Sequence, residues 1–300
     1  MLPLKVSSKV QSALSESRAI LAMESTVITH GLPYPQSFAV LSETEDLAEL
    51  HGATPATICI LDGVIHIGLD HQDREILMRK IEGAEIIYKV SQRDIPMILA
   101  ERASGGTTVS ATMALAHHAG INVFATGGIG GVHRLWQDYL DISLDIKALS
   151  EIPMIVVSAG CKAILDIPAT LEHLESSGVT VYGWQSDDFP AFYSRNSGCK
   201  ISAVNSLRSI AEAFRMSQEL SSGAFLIANP IPEEDEIPAS KIEPYIQSGM
   251  QAAAGIRGKD LTPFLLSYLA EATKGRTVDA NLALLRNNVM LGAKIAKELE

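Results

Sequence analysis

The chain has 300 residues, of which 47% are hydrophobic and 20% charged, and a formal net charge of −11. This composition supplies a sizeable core and rules out a disordered chain, while the acidic balance argues against non-specific binding to nucleic acid or anionic membranes. Cys59, Cys161 and Cys199 are odd in number and widely spaced, which gives neither a disulfide framework nor a CxxC metal site and points to a reducing compartment.

The first stretch, MLPLKVSSKVQSAL, lacks the apolar centre of a signal peptide, and no apolar run reaches the roughly 20 residues of a spanning helix, so the expected location is the cytoplasm. AILAM is the first strand-length run and ends at Glu24-Ser25-Thr26; a helix is expected over 36–51, with Gly52 as its stop. In TICILDGVIHIGL two alternating runs flank Asp62-Gly63, the signal of an antiparallel hairpin. AEIIYKVS then runs into Gln92-Arg93-Asp94, and TTVSATMALAHHAG reads as a helix capped by Thr107 or Thr108 and closed by Gly120. NVFATGG leads into IGGVHR, MIVVSAG into Cys161-Lys162, and PATLEHLESSG is a helix with Pro168 in its first turn. AFLIANP runs into Ile231-Pro232-Glu233, and VDANLALLRNNVMLGAKIAKELE forms a long amphipathic helix. Apolar runs alternating with helices specify an α/β fold: a mainly parallel sheet covered on both faces, with one antiparallel element. No repeat or linker interrupts the pattern, so a single domain over residues 1–300 is expected.

Open α/β sheets bind ligands outside the carboxyl ends of their strands, and Glu24, Lys89, Thr126 to Gly131 and Lys162 all fall there. Lys162 follows a buried strand and precedes a helix. Burial and a second cation, for which Lys89 is the candidate, would bring its amine from about 10.4 towards about 7, roughly 4 to 5 kcal/mol, and leave a nucleophile for carbonyl carbon. The competing reading is a lysine lying along the surface with its head in water. Glu24, at the end of its strand, is expected to hold a proton near neutrality, against the alternative of capping the next turn.

ASGGTTVSATM and ATGGIGGVHR are glycine-rich. The first opens a helix, where free N–H groups favour phosphate, and the second ends in His133-Arg134, cations that suit an anion. Neither is a P-loop or a GxGxxG turn, and a purely structural role is the alternative. DYLDISLDIKAL supplies Asp138, Asp141 and Asp145, with Ser143 between them, which suits a hard divalent ion or else a solvated acidic loop. The histidines, including His117-His118, have no zinc spacing.

Taken in order, AMESTVITHGLPYPQ, YKVSQRD, GGTTVSATM, FATGGIGGVHR, DISLDI, AGCKAILDIPATLEHLE, DDFPAFYSRNSG, ANPIPEED, GIRGKDLTPFLL and NLALLRNN resemble the motifs of the pseudouridine-5′-phosphate glycosidases, from about residue 19 to the last helix. The resemblance implies a three-layer α/β/α fold, a homotrimer, and reversible cleavage of the C–C glycosidic bond of pseudouridine 5′-phosphate to uracil and ribose 5-phosphate, with Mn²⁺ or another divalent ion such as Mg²⁺. It implies Lys162 as the Schiff-base lysine, Glu24 as the proton donor and Asp141 as the metal ligand. Lys89, Val109 and Ser143-Leu144-Asp145 take substrate-contacting positions; Thr108 and His133 join them, with the phosphate placed among Lys89, His133 and the helix start. Asn281 and Asn288 share the C-terminal motif, Asn281 standing among the substrate-binding positions, with either of the two open as the contact to uracil. Cys161 stands where alanine is common, Asn196 where serine is common, and RLWQDYL is bulkier than the usual segment before DIS.

The chemistry accounts for the residue types. A carbon leaving group offers no nitrogen or oxygen to protonate, so acid catalysis alone is inadequate; an iminium between C1′ of the opened ribose and a lysine gives the protonated uracil carbon a route out. Two other readings stay open: a pigment-biosynthesis or other C-glycoside enzyme of the same architecture, and a non-catalytic sugar-phosphate sensor.

Overall fold

A computed structural model of the chain describes every residue except Met1, Pro33, Leu135, Ser221, Arg257, Lys259 and Asp260, and omits the side chains of Asp138 and Tyr139. Its strands are β1 (Leu4–Val6), β2 (Ile20–Met23), β3 (Thr54–Leu61), β4 (Val64–Ile67), β5 (Ile87–Val90), β6 (Ser104–Thr107), β7 (Val123–Ala125), β8 (Ile155–Ser158), β9 (Thr180–Trp184), β10 (Ser202–Val204) and β11 (Phe225–Ala228). They form one sheet in the order β1-β4-β3-β2-β7-β8-β11-β9-β10, with β6 on β3 and β5 on β6. Every pair is parallel except β3–β4 and β3–β6. The central strands β2, β8 and β11 are buried along their whole length, which is why they read as continuous apolar runs.

Two layers of helix cover the sheet. On one face α2 (Gln36–Leu50), α9 (Leu207–Glu219) and α12 (Arg276–Glu298) pack together; on the other lie α1 (Ser8–Ser15), α5 (Val109–His118), α7 (Leu144–Glu151) and α8 (Ile167–Ser176). A smaller cluster of Ile28, Leu41, Cys59, Leu61, Leu69 and Leu77 sits under α3 (His71–Glu82). The remaining helices are α4 (Ile95–Ala100), the short α6 (Trp136–Tyr139), and the paired α10 (Ala239–Ala252) and α11 (Leu261–Ala272). None of the helices is long and apolar enough to cross a membrane among the described residues.

The hairpin turns at Asp62 and Gly63, φ 49° and 77°, as its sequence requires. Gly52, Gly120 and Gly178 close α2, α5 and α8 with left-handed backbones, where any other side chain would be strained. Sequence reasoning missed a π-helical turn over Val27–Gly31 and the α10–α11 pair.

The feature that makes room for a site is in β3. Its first half pairs with β2, Ile20 opposite Thr54 and Met23 opposite Thr57, while its second half pairs with β6, Cys59 opposite Gly106. β2 and β6 therefore part company at Met23. The split is stitched by hydroxyls: Ser25 Oγ donates to Ile58 O at 2.7 Å and accepts from Thr107 N at 2.9 Å, while Thr107 Oγ1 also donates to Ile58 O at 2.7 Å. Glu24 stands at the mouth of this split.

Candidate active site

A cavity of about 420 Å³ opens at the carboxyl ends of the strands and is lined by Glu24, Lys89, Thr108, Val109, His133, Asp141, Ser143, Leu144, Asp145, Lys162 and Asn281 from the sequence-predicted residues, but not by Arg134 or Asn288. Glu24 leaves β2 into it, and Lys162 follows β8 through a left-handed Gly160, φ 75°. The lysine Nζ donates to Gly128 O at 3.0 Å, which holds the ammonium against the glycine-rich loop instead of in bulk water. The Glu24 carboxyl accepts from Thr126 Oγ1. Burial pushes its pKa up, opposed first by the positive charge of Lys162 and then by the Thr126 hydrogen bond.

Asp145 has a different job from its neighbours in DISLDI. It is buried, its Oδ1 accepts from Ser110 N at 3.0 Å and its Oδ2 from Gly130 N at 2.8 Å. The carboxylate thus caps α5 from outside. This corrects the expected cap: Thr108 occupies the capping position of α5 but makes no side-chain cap bond, and Thr107 points back to the sheet. It also means that the α5 start, offered as phosphate cradle, already holds an anion at Ser110 N. Gly130 is obligatory here, since a Cβ would lie 2.3 Å from Ser143 Oγ and 2.7 Å from Asp145 Oδ2.

Part of the lining is cationic. Lys89, one residue before the end of β5, and Arg93 after it belong to this part, and the π-helical turn brings His30 within reach of the Lys89 charge. His30 bonds Thr29 Oγ1 through Nδ1 at 2.8 Å, and burial together with the Lys89 charge lowers its pKa, so it stays neutral near pH 7. His133 is buried with its Nδ1 lacking a hydrogen-bond partner, and burial likewise lowers its pKa, opposed by the charge of Asp141. Sequence alone does not bring Arg93 and His30 to the site, because nothing local in SQRD or ITHG tells which way those side chains turn.

Asp141 is half-buried on the cavity wall. Among the described residues no group of three or more His, Cys, Asp or Glu side chains is set to enclose an ion, Asp145 is taken by backbone amides, and the Asp138 side chain lies outside the described residues. The donor set left, one carboxylate on a wet wall, fits a hydrated hard divalent ion that keeps most of its waters.

A roof is supplied by Gly258, Thr262, Pro263 and Leu266, on α11 and the turn before it; Arg257, Lys259 and Asp260 of GIRGKD lie outside the described residues. Arg134 ties this roof down, with Nη1 and Nη2 donating to the two oxygens of Glu243 on α10 at 2.6 and 2.9 Å and Nη2 also to Ala163 O at 3.2 Å. Of the two asparagines, Asn281 lines the cavity, whereas Asn288 is fully buried and bonded to Thr126 O and Gly127 O at 2.8 and 3.2 Å. Phe192, with φ 63°, packs its ring over Gly128, where a Cβ would lie 2.6 Å from it.

An acid and an amine that line one cavity at the strand ends of a split, mainly parallel sheet, together with Lys89 and Arg93, make a candidate sheet-end enzyme site. The chain belongs to the family of indigoidine synthase A-like proteins, whose model matches residues 9–298. Its relatives in this family are named pseudouridine-5′-phosphate glycosidases. That of Glaesserella parasuis is 44% identical over 98% of this chain and 97% of its own length, and that of Roseobacter denitrificans 47% identical over 99% and 96%. Among solved structures, an indigoidine synthase A-like protein from Thermotoga maritima superposes with a TM-score of 0.90 at 34% identity, covering 99% of this chain and 97% of the other. The prealnumycin C-glycosynthase AlnA, solved with ribulose 5-phosphate, gives 0.90 at 35% identity over 99% and 96%.

Proposed function

We propose that the protein is a pseudouridine-5′-phosphate glycosidase working through a lysine Schiff base. The observation that carries this reading is the meeting of the Lys162 amine and the protonatable Glu24 carboxyl in one cavity that Lys89 and Arg93 also line. In the synthetic direction the Lys162 amine condenses with the C1 aldehyde of ring-opened ribose 5-phosphate, and Glu24 gives its proton to the departing water. Uracil C5 then bonds to the iminium carbon and returns a proton to the Glu24 carboxylate. The O4 hydroxyl closes the ring on C1′, its proton passing to the amine as the amine leaves. Cleavage is the reverse and consumes one water. A carboxyl with a raised pKa suits both halves, since it must give and take a proton near neutrality.

The Lys89 and Arg93 charges, with the Ser91 hydroxyl and the His133 ring beside them, would take the phosphate, against the acidic field of the whole chain. Val109, Leu144 and Asn281 would hold the sugar and the pyrimidine, with Asn281 offering an amide to the uracil edge. Asp141 would hold the divalent ion, which when bound supplies polarisation of oxygens near the reacting end. Asp145 acts here chiefly by fixing the glycine-rich loop through Gly130 N, and Ser143 by capping α7 through Asp145 N. The same reading carries a single-domain protein, a homotrimer in the cytoplasm and no nucleic-acid or membrane partner; sedimentation at three times the chain mass checks the assembly.

Release of free uracil from pseudouridine 5′-phosphate tests the reading. Multiple turnover is expected, falling on addition of a chelator and returning with Mn²⁺; absence of any uracil at saturating substrate and metal would overturn it. The likeness to a C-glycosynthase favours one second reading, the same chemistry on another C-glycoside, for which turnover would appear on a panel of sugar phosphates and aromatic acceptors instead.

A further inference from the structure

The mechanism leaves a buried polar chain unused. Asn229, after β11, donates from Nδ2 to Asn288 Oδ1 at 3.0 Å; Asn288 Nδ2 donates to Thr126 O at 2.8 Å; and Thr126 Oγ1 donates to Glu24 Oε1. Thr126 and Asn288 are wholly excluded from solvent and Asn229 is buried. Amides inside an apolar layer are costly unless paired, and here both groups of the Asn288 amide are paired. The chain is also anchored at the sheet, since Thr126 N donates to Val157 O at 3.0 Å and Asn229 N to Ser158 O at 2.8 Å. One end of it is the carboxyl that handles the proton.

We infer that Thr126, held by Asn288 and Asn229, is a positioning residue that fixes the Glu24 carboxyl and favours its ionised form through one donated hydrogen bond. The inference rests on the role proposed for Glu24. The alternative duty for Thr126 would be packing alone, for which valine is an equal. The other charges facing Glu24 are the cations Lys162 and Lys89 and the anion Asp145; Lys162 donates to Gly128 O and Asp145 accepts from Ser110 N and Gly130 N, bonds that do not pass through the Thr126 hydroxyl.

Thr126→Val keeps the shape and removes the donor; Thr126→Ser keeps the donor. With the valine, kcat for uracil release should fall about tenfold with KM within about twofold, and the limb of the pH profile that belongs to Glu24 should move up by about one unit, because loss of a donor disfavours the carboxylate. Thr126→Ser should restore both. Thr126→Ala repeats the measurement should valine prevent folding. A valine variant with the wild-type profile, or a serine variant as damaged as the valine one, would overturn the inference. A ¹³C-carboxyl NMR titration of Glu24 in both proteins reads the same upward shift without turnover, so that a wild-type enzyme inactive on pseudouridine 5′-phosphate would overturn the functional reading while this shift still decides the role of Thr126.

Discussion

Two groups of residues that line the cavity are built differently. Glu24, Thr126 and Lys162 leave the buried centre of the sheet, and their polar atoms are tied to groups at the end of β7, in the glycine-rich loop and on α12. Lys89 and Arg93 come from an edge strand and the turn after it, beside the exposed Ile86 and Tyr88, with Arg93 itself exposed. Bond making needs groups fixed to a fraction of an ångström in a dry setting, which only the packed interior offers. Binding a phosphate needs charge within reach of water, so that an anion can enter and leave.

This contrast predicts which variants break chemistry and which break binding. The largest effect belongs to Lys162→Ala, expected to lower kcat at least about a thousandfold, since the nucleophile has no substitute. Glu24→Gln should cost about 10² to 10⁴ in kcat, and yet stabilise the fold at pH 7. The sign follows from the raised pKa: the folded chain holds this proton more tightly than the unfolded one, so the group's contribution is fully present below the unfolded carboxyl pKa and is lost as pH rises through the folded value. Denaturant midpoints of wild type and Glu24→Gln should therefore converge in acid and separate, in favour of Gln, towards neutrality.

At the rim, Arg93→Ala should raise KM for the phosphorylated substrate about tenfold with kcat nearly intact, and increasing salt should mimic it in the wild type. The smallest effect is expected from Glu243→Gln, which weakens the partly exposed pair with Arg134 that ties α10 to the loop of His133. A loss of at most about 1 kcal/mol, read as a change of KM near twofold, fits such a pair.

The buried group was also the more legible in sequence. AILAM, NVFATGG and MIVVSAG announce strands because both faces are covered, and a charged residue or glycine-rich turn at the end of such a run is conspicuous against it. What stayed hidden depends on partners distant in the chain. The cap of α5 comes from Asp145, 35 residues past Ser110, so no local pattern announces it. Asn281 and Asn288 lie on nearly the same face of α12, but seven residues advance the helix about 10 Å, enough to carry one amide from the cavity to the underside of the sheet end. The π-helical turn that delivers His30 and the helices of the roof belong to the same class: their positions are set by the tertiary fold, not by spacing.

A covalent bond between Lys162 and an opened pentose underlies every step of the proposed reaction. Incubation with ribose 5-phosphate and borohydride, followed by peptide mass analysis, should show the reduced sugar-phosphate adduct on the peptide carrying Lys162 and none in Lys162→Ala. An unmodified Lys162 peptide at saturating sugar phosphate, or an equal adduct elsewhere in the variant, would contradict the account.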